Sequence, residues 1–478
     1  MSDPLTLSLT CNDQTYAVVG LRGEESISSL YRFELDIICE AGTTLPDEIA
    51  AGADVTLTFS RRDDTVRLVH GLISTRRKRV DNESTDPRYR LVLVPHLHRA
   101  NLVQTQRIFL GVSVVDIIRN KLELIGLEGE LVSLANLGDY PVRDFVMQYH
   151  ETDYSFISRL CEHVGISFFF EQLNASDQLV FADGPNDFGA SSQSPSIQLT
   201  DSLNQPERIY ALELDEPMTP GNYVAYDYNY RRPDLQLVGS QEVAGGHGGG
   251  LLEYACHVKD EIQAQDLAAI RAEELACRTR QYRGESSIVG LTAGGVTTLE
   301  ASAAFEETEL LITKVRHEAV LSEDGEERLT YRNRFEAVET TITYRPQRRT
   351  PRPQMAGFVT GTVLGPNGAT DTVSPHLDDK GRYTIRFHLD TVLGDPTLGG
   401  SHLVRMAQPF GGTGHGMHFP LRPGTEVMMV FANGDPDRPV IVGAVPNEHT
   451  RTPVTATNAT QNRITAASGA IFEISERR

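Results

Sequence analysis

The stretch VRMAQPFGGTGHGMHFPLRPGTEVMMVFANGDPDRPVIVGAVPN, residues 404–447, decides the fold class of this chain. Apolar runs typical of β-strands alternate in it with dense turn chemistry, such as the Asn-Gly-Asp-Pro cluster at residues 433–436. Glycine and asparagine tolerate positive φ, and proline fixes φ and lacks an amide N–H, so such clusters end strands sharply. The stretch therefore predicts the end of a small antiparallel barrel.

A five-stranded barrel is predicted for the part of the chain that ends with this stretch. Five strand-like runs fall within fewer than about 100 residues, which is the size of an OB-type barrel. The runs are residues 357–363, 381–388, 402–408, 425–431 and 440–445. Just before them, residues 345–353 (RPQRRTPRP) are basic and proline-rich, which favours an extended linker between domains.

The N-terminal part of the chain has the alternation typical of β-structure. Residues 33–38 (FELDII) and 55–59 (VTLTF) alternate apolar with polar side chains, and residues 89–94 form a further apolar run. Period-two alternation at this density predicts an all-β unit that contains several short strands.

Three segments interrupt the strands with helical spacing. The first, residues 113–124, begins with Ser113 and Asp116 in the arrangement of a capping box. The second follows Asp153 and ends at Gly165, a residue type that suits the left-handed position after a helix. The third is predicted at residues 264–280, after a flexible break at residues 245–250 (GGHGGG).

Composition restricts the class of protein. With 478 residues, 40% hydrophobic and 23% charged, the chain fits a globular protein of roughly three domains. Its formal charge of −21 would repel nucleic acid, so we expect no nucleic-acid partner. No apolar run approaches the roughly 20 residues that span a bilayer, and the N-terminus shows no secretory signal.

The cysteines and one basic run have ordinary structural interpretations. Five cysteines without CxxC spacing indicate free thiols and a reducing cytoplasm, and Cys161 and Cys277 are expected to be buried in helices. Residues 76–79 (RRKR) are interpreted as a solvated turn or a charge-protected edge strand, with phosphate binding as the minority alternative.

Two distant segments carry a resemblance to a known family. Residues 405–443 resemble the VgrG pattern V-R-V-A-Q-x-W/F-A-G-x-G-Y-G, then P-R-x-G-x-E-V-x-V-x-F, then G-D-P-D-R-P-x-I-x-G. Residues 148–171 (QYHETDYSFISRLCEHVGISFFFE) resemble a second VgrG hallmark, Q-Y-x-E-T-D-x-x-F-x-S-R-L-x-E-x-x-G-I-x-Y-x-F-E. The chain is thus similar to the VgrG spikes of type VI secretion systems and to contractile phage tail hubs.

The resemblance implies a fold and an assembly. The fold class would be mainly β with a few α-helices: tandem barrel domains like a phage tail hub, an OB-fold and the start of a trimeric β-prism needle. The implied domains are a hub with two barrel modules and helical insertions at 1–345, a linker at 346–354, the OB domain at 355–447 and the start of the needle at 448–478. Three chains would present six barrel modules to a hexameric tube.

The resemblance also has departures. The chain has no tryptophan, whereas the family usually has tryptophan at the positions of Leu389, His96 and His98. This favours a divergent branch, or a spike of an extracellular injection particle or tailed phage. The implied needle is short, and we expect no C-terminal effector domain and no inserted lysozyme domain.

Several candidate catalytic or metal-binding groups have simpler structural explanations. Residues 414–418 (GHGMH) with His402 lack a defined third or fourth metal ligand, so a glycine-rich turn is favoured over a metal site. The HGGG sequence at His247 lacks a G-x-S-x-G partner, so a flexible loop is favoured over an esterase oxyanion loop. Residues 386–390 (RFHLD) are interpreted as a barrel strand rather than an acid–base pair. Carboxylate pairs, at residues 24–25 and 378–379, are expected in turns.

The motif GDPDRP is the one site proposed from the sequence, and its role would be architectural. It comprises Gly434, Asp435, Pro436, Asp437, Arg438 and Pro439. The two aspartates can accept N–H groups of the turn and the prolines stiffen it, while the arginine can pair with a carboxylate across the barrel or the trimer axis. No catalytic, cofactor or metal site is predicted.

The predicted function is mechanical rather than enzymatic. The chain would be a homotrimeric spike that caps an Hcp-like tube, contacts baseplate proteins, carries a PAAR-like tip protein or effectors and transiently crosses a target membrane. It would assemble in the cytoplasm and then be injected with the machine. The unrelated alternatives are an OB-type nucleic-acid binder, which would need a basic aromatic groove, and a cell-wall hydrolase, which would need a positioned acid–base pair.

Overall fold

The computed structural model describes residues 5–39, 44–61, 64–79, 87–173, 175–189, 197–199, 207–321, 329–390 and 400–475. The chain divides into two compact units. The first contains Met1–Val103, Ile118–Tyr140 and Asp153–Pro351, and the second contains Gln104–Ile117, Pro141–Thr152 and Arg352–Arg478. Two segments from the first third of the sequence therefore belong to the same unit as the C-terminal quarter.

The architecture is mainly β, as the sequence predicted. The strands are β1 (Leu5–Cys11), β2 (Gln14–Ser26), β3 (Arg32–Ile38), β4 (Asp54–Arg61), β5 (Asp64–Arg79), β6 (Arg88–Val94), β7 (Gln104–Phe109), β8 (Val132–Ser133), β9 (Val146–Thr152), β10 (Ser167–Gln172), β11 (Asp177–Ala182), β12 (Ile209–Asp215), β13 (Asn222–Asp227), β14 (Leu237–Glu242), β15 (Leu251–Tyr254), β16 (Gln281–Ser286), β17 (Val296–Leu299), β18 (Thr308–Leu321), β19 (Leu329–Glu339), β20 (Val359–Leu364), β21 (Thr384–Phe387), β22 (Gly411–Gly412), β23 (His415–Gly416), β24 (Glu426–Phe431), β25 (Pro439–Ala444), β26 (Gln461–Thr465) and β27 (Ile471–Ser475). The helices are α1 (Val114–Leu124), α2 (Asp153–Val164) and α3 (Glu261–Ala276), with short 3₁₀ turns at His96–Leu102, Gly129–Leu131, Pro185–Asp187, Pro366–Gly368, Ala432–Gly434 and Ala456–Asn458. Among the described residues, no helix has both the length and the apolar character needed to cross a membrane.

An eleven-stranded sheet forms most of the first unit. Its order is β12-β16-β19-β1-β4-β5-β6-β3-β2-β18-β17, with further pairing of β19 to β18 and of β1 to β2. The predicted alternation is confirmed in β3 and β4, because every second residue, such as Phe33, Leu35 and Ile37 of β3, is buried while the residues between are more exposed. These side chains lie in one core cluster with the apolar residues of β1, β5 and β6.

The three predicted helices are confirmed, with one shift of boundaries. Ser113 and Asp116 form the expected capping box at α1, since the Asp116 N–H donates to Ser113 Oγ at 3.2 Å and the Ser113 N–H donates to Asp116 Oδ2 at 3.3 Å. Gly165 follows α2 with φ +78°. Helix α3 begins earlier than predicted because Asp260 accepts the Gln263 N–H at 2.9 Å, and it ends earlier because the Thr279 hydroxyl donates to Ala276 O at 2.8 Å.

The thiols and the basic run follow the sequence interpretation. Cys161 and Cys277 are buried free thiols, and burial raises the pKa of each. Residues 76–79 lie in the second half of β5, which pairs with β6, whereas β4 pairs with β5 only as far as Leu72. The run is therefore an edge strand with charged side chains, and the guanidinium of Arg76 lies 5.3 Å from the ring centroid of Tyr89.

The proline-rich segment after β19 is extended but not free. We call residues 345–350 the strap, because they are bonded to other parts of the first unit. Arg345 Nε lies 2.7 Å from Glu273 Oε2, and Arg348 Nη1 lies 2.7 Å from Glu253 Oε1. The Thr350 N–H and hydroxyl donate to the Glu162 carboxylate at 2.9 and 2.8 Å. The predicted linker thus contributes its charges to the packing of the first unit.

The barrel of the second unit has four of the five expected strands. Its sheet order is β21-β20-β24-β25. The run at 402–408 is not a strand, which corrects the prediction: only isolated bridges join Val404 to Tyr383 and Met406 to Ile441. One bridge lies beside β21 and the other lies in β25, which are the two edge strands of the sheet. The segment therefore still closes the barrel, but through isolated bridges instead of a continuous ladder. Strands β7 and β9 pair with each other, and Ile108, Phe145 and Met147 lie in the barrel core.

A two-stranded hairpin lies near the end of the described chain. Strands β26 and β27 pair antiparallel from Gln461 with Ser475 to Thr465 with Ile471. We call residues 461–475 the C-terminal hairpin. The predicted strand at 470–475 is confirmed as β27. Large apolar side chains are exposed on this hairpin: Ile464, Ile471, Phe472 and Ile474.

Candidate functional site

The GDPDRP motif forms a tight loop between the last two strands of the barrel. After β24, Asn433 and Gly434 have φ of +57° and +70°, which turns the chain back within a few residues. The Ala432 N–H donates to Arg438 O at 2.9 Å, and the Arg438 N–H donates to Asp435 O at 2.9 Å. Pro439 then begins β25. The backbone of the loop is therefore bonded to itself.

Asp435 is the buried centre of the loop. Its side chain is almost fully buried, and Oδ1 accepts the Asp437 N–H at 3.1 Å, as the sequence predicted for a turn N–H. Its Oδ2 lies 3.3 Å from Arg352 Nη1 and 3.8 Å from Arg438 Nε. Arg438 thus approaches a carboxylate of its own loop, and a partner across the barrel or across a trimer axis stays a prediction.

Asp437 fastens a distant segment to the barrel. Its Oδ1 accepts the N–H of Met147, in β9, at 2.7 Å, across 290 positions of sequence. The Met147 side chain is fully buried, so its N–H needs an acceptor from the protein. Asp437 was predicted to accept an N–H of its own turn, and in the structure its carboxylate holds residues 141–152 through Met147.

Gly434 allows the loop to approach the segment that enters the barrel. Its carbonyl accepts the Met355 N–H at 2.7 Å. A Cβ at this position would lie 2.5 Å from Gln354 Oε1, and the positive φ already disfavours other residues. The motif therefore joins three pieces of the second unit: the β24 to β25 turn, residues 352–355 and β9.

We expect Asp437→Ala to lower the free energy of unfolding of the second unit by about 1–3 kcal/mol, because it leaves the buried Met147 N–H without its acceptor. Urea unfolding followed by far-UV circular dichroism measures the change. Asp371→Ala, at an exposed position of the same unit, is the matched control and should change stability by less than about 0.5 kcal/mol. Equal effects of the two substitutions would show that the bond to Met147 contributes nothing.

The histidines of the GHGMH segment have separate surroundings. The segment forms the β22 and β23 hairpin, with Gly414 at φ +74°, which agrees with the predicted turn. Both ring nitrogens of His418 have partners, the Tyr383 hydroxyl at 2.9 Å and Gln408 Nε2 at 2.7 Å. His402 instead packs its ring 4.8 Å from that of Phe145. The geometry gives this group structural roles in the barrel.

The HGGG segment is an ordered loop rather than a free one. The His247 N–H donates to Thr219 O, and the Gly221 N–H donates to Gly248 O, both at 3.0 Å. The Thr219 N–H donates to His247 Nδ1 at 3.4 Å, which occupies that ring nitrogen. Its glycines serve a close approach to residues 219–221, since a Cβ on Gly246 would lie 2.6 Å from Pro220 O.

The RFHLD segment is a barrel strand, as predicted. Ile385 and Phe387 of β21 are buried, whereas Arg386 is partly buried and His388 is exposed. Both ring nitrogens of His388 lie near hydroxyls of β20, at 2.8 Å from Thr360 and 2.9 Å from Thr362. Asp378 lies in a turn, as expected, where it accepts the Lys380 and Arg382 N–H groups.

A buried polar network in the first unit was missed by the sequence analysis. Glu24 and Glu25 were expected in a turn but lie on β2, because residues 20–26 continue the ladder with β3 and β18. Glu25 Oε1 accepts from Arg67 Nη2 at 2.8 Å and lies 2.9 Å from His317 Nε2. Arg67 Nη1 donates to the carbonyls of Val289 and Leu291.

The network has a defined electrostatic state. Burial raises the pKa of Glu25, but the nearby Arg67 and His317 outweigh it and the net pKa is lowered, so Glu25 is ionised. Burial lowers the pKa of His317 despite Glu25, so its imidazole is neutral near pH 7. No strand was predicted at Arg67, so no local pattern in the sequence marked this residue as buried.

A second buried ion pair links α1 to α2. Lys121 Nζ lies 2.8 Å from Asp153 Oδ1, and both side chains are 1% exposed. Asp153 also begins α2, where a carboxylate is favoured by the helix dipole. These two residues looked like ordinary helix residues in the sequence. Buried ion pairs therefore lie beside apolar side chains in the interior of the first unit.

The family of the chain follows from comparison with known proteins. The family model of the phage tail baseplate hub (GPD) matches residues 24–323, and that of the type VI secretion system/phage-baseplate injector OB domain matches residues 372–445. The chain therefore belongs to the phage tail baseplate hub family and carries an injector OB domain after the hub region.

Curated relatives confirm the resemblance to VgrG proteins. The type VI secretion system spike proteins VgrG5 and VgrG4b of Pseudomonas aeruginosa are 31% and 30% identical, each alignment covering 92% of this chain and 57% and 56% of the relative. The actin cross-linking toxin VgrG1 of Vibrio cholerae is 26% identical over 90% of this chain and 40% of the toxin. The chain thus spans little more than half the length of the two Pseudomonas relatives.

Solved structures confirm the fold class. An Escherichia coli component of the type VI secretion system, with structural similarity to the T4 bacteriophage tail proteins gp27 and gp5, has a TM-score of 0.66 at 22% identity, over 91% of this chain and 99% of that one. A chain of the Francisella PdpA–VgrG complex has a TM-score of 0.65 at 10% identity, over 98% of this chain and 75% of that one. The phage-hub fold followed by an OB domain is therefore shown for this chain.

Proposed function

We propose that this chain is the hub and spike subunit of a type VI secretion machine. The observation that carries the proposal is the order of two matched regions, a baseplate hub at 24–323 followed by an injector OB domain at 372–445. The relatives that share this order over nearly the whole chain are named spike proteins. The domain order predicted above, with a hub at 1–345, a linker at 346–354, an OB domain at 355–447 and a needle from 448, is part of the proposal.

The proposed assembly is a homotrimer. The C-terminal hairpin supports it, because an isolated two-stranded hairpin is marginal in water and this one exposes four large apolar side chains. Two further copies would pair with its free edges and cover these side chains, as a β-prism does. The Gly434 to Pro439 loop would keep the barrel rigid directly before the needle.

The proposed work of the trimer is mechanical. Three hubs would cap a hexameric Hcp-like tube, contact the baseplate, and carry a PAAR-like tip protein or effectors into a target cell when the sheath contracts. Assembly would take place in the cytoplasm, and delivery would follow through the machine. The buried networks at Glu25 and Lys121 suit this work, because stiffness rather than turnover is required.

The proposal is tested by the mass in solution. Light scattering on the purified chain should give a mass near three times the 52.8 kDa of the monomer. Phe472→Asp places a charge on the C-terminal hairpin and should raise the concentration for half-assembly at least tenfold. Val373→Asp, at another exposed apolar residue of the second unit, is the control and should leave the mass unchanged.

A monomer at all concentrations would overturn the trimer. A trimer that tolerates Phe472→Asp as well as Val373→Asp would keep the assembly but remove the C-terminal hairpin as its clamp.

A further inference from the structure

A small sheet in the first unit has one covered face and one open face. Its order is β14-β13-β15, with β15 parallel to β13. Helix α3 covers one face so closely that a Cβ on Gly239 would lie 2.1 Å from Ala264 O. On the same covered side, Glu253 of β15 is bonded to Arg348 of the strap. Among the described residues, no element pairs with the other edge of β15.

The free edge of β15 presents backbone groups. The Ala255 N–H donates to Tyr226 O at 2.9 Å, on the side of β13. Because alternate residues of a parallel strand direct their N–H and C=O groups to the same neighbour, those of Leu251 and Glu253 also face β13. The N–H and C=O groups of Leu252 and Tyr254 therefore point away from the sheet, where an added strand would bind.

The open face beside this edge is apolar. Tyr226 pairs with Val238 on one side and Tyr254 on the other, so the three side chains form one row across the sheet. They are 38%, 44% and 50% exposed, and Leu252, two residues before Tyr254 on the same face, is 68% exposed. The rings of Tyr226 and Tyr254 lie 5.5 Å apart. Tyrosine-rich apolar faces of this kind are typical of protein interfaces.

Among the described residues, β15 has no lysine, proline, bulge or covering element at this edge, although the strand is only four residues long. Exposed edge strands are usually protected by lysine, proline, a bulge or a covering element. Strand β15 reads Leu-Leu-Glu-Tyr, its single charge is engaged by Arg348 on the covered side, and its ladder with β13 has no bulge. By contrast, the β5 edge in the same unit carries four consecutive basic residues.

We propose that β15 is a docking edge for an extended segment of a separate polypeptide carried by the spike, which adds to the β14-β13-β15 sheet as a fourth strand. Backbone bonds to Leu252 and Tyr254 would supply the affinity, as in other β-strand additions. The bound segment would alternate apolar side chains, packed on Tyr254 and Leu252, with polar side chains directed to the side of Glu253 and Arg348.

The size of the surface favours a peptide segment over another copy of this chain. The exposed apolar side chains at this site offer on the order of 500 Å², which is less than the roughly 800 Å² per partner of a stable protein interface. Such an area suits a short segment whose main bonds are made by the backbone. That the bound polypeptide is cargo rests on the proposed function, whereas the docking edge itself does not.

The test uses the full chain and a fluorescein-labelled, end-capped hexapeptide of alternating threonine and valine. Fluorescence anisotropy should show saturable binding, and hydrogen exchange of the Leu252 and Tyr254 amides should slow at least fivefold when the peptide is bound. The same peptide methylated on alternate backbone nitrogens is the control ligand and should not bind, because it cannot form the ladder.

Two substitutions at one position separate backbone from side-chain recognition. Leu252→Pro removes an outward N–H without touching the bonds to β13, and it should weaken binding at least tenfold. Leu252→Ala keeps the N–H and should weaken binding only about threefold. Tyr254→Pro repeats the first change if Leu252→Pro does not fold.

Three results would overturn the proposal: no slowing of exchange at these amides, equal losses for Leu252→Pro and Leu252→Ala, or protection of the amides in the protein without peptide. The last result would show that a neighbouring copy covers the edge. Peptide binding by a chain that light scattering shows to be monomeric would overturn the proposed trimer and leave the docking edge in place.

Discussion

Replacing Lys121 with methionine is expected to lower the free energy of unfolding of the first unit by about 3–5 kcal/mol, because it leaves the Asp153 carboxylate buried without its cation. The two groups are 2.8 Å apart and 1% exposed, so water cannot replace the lost partner. The chain has no tryptophan, so urea unfolding is best followed by far-UV circular dichroism. The urea concentration at the unfolding midpoint should fall, while the slope of the free energy of unfolding against urea concentration should change little.

Two controls make this result specific. Arg32→Met breaks the pair with Glu34, whose side chains are 51% and 34% exposed, and it should cost less than about 1 kcal/mol. The double variant Lys121→Met with Asp153→Asn removes both charges and should recover part of the loss. A double variant no more stable than the single one would show that the loss comes from packing and not from the unpaired carboxylate.

The second large effect is expected for Glu25→Gln, at about 3–5 kcal/mol. The substitution leaves the Arg67 guanidinium, whose side chain is 6% exposed, without its carboxylate and weakens the contact to His317. Glu24→Gln is the matched control at the preceding position, because the Glu24 side chain is 50% exposed, against 12% for Glu25, and water can solvate its partners Lys314 and Arg316 more readily. Thermal unfolding measures both, and similar shifts for the two variants would contradict the role given to the network.

The network of Glu25, Arg67 and His317 also makes the free energy of unfolding depend on pH. Because the pKa of His317 is lowered in the folded protein, its imidazole takes up a proton at a higher pH in the unfolded chain than in the folded one. Protonation therefore favours unfolding, and the free energy of unfolding should fall as pH decreases below about 6.5. The lowered pKa of Glu25 adds a loss in the same direction at lower pH, from below about 4.3 as pH falls through its folded pKa. The Glu25→Gln variant should lack this second loss of stability, which urea midpoints measured from pH 7 down to about pH 2.5 would show.

Local patterns in the sequence were sufficient for most of the architecture. Alternation predicted β3 and β4, an apolar run predicted β6, and the Ser113 and Asp116 pair predicted the start of α1, since these signals depend only on near neighbours. The turn chemistry of residues 433–439 gave the final two barrel strands and the loop that joins them. Two distant motifs gave the family.

The features that the sequence did not predict depend on contacts between residues that are far apart in the chain. The bond from Asp437 to Met147 joins positions that no local pattern relates, and the barrel core includes residues from β7 and β9 for the same reason. Glu25 and Lys121 looked like surface charges because their burial depends on partners in distant strands and helices. The run at 402–408 had strand-like composition, but it pairs with the barrel through two isolated bridges rather than a continuous ladder.

The second unit is built from segments that lie far apart in the sequence, and this affects how the chain folds during synthesis. Residues 104–117 and 141–152 leave the ribosome long before the barrel that they complete. At about 5–20 residues per second, roughly 15–60 seconds separate Met147 from Asp437, its acceptor. During that time the apolar side chains of β7 and β9 have no barrel to enter. The nascent chain must therefore keep β7 and β9 from aggregating, and a fragment that begins at residue 352 would never acquire these strands.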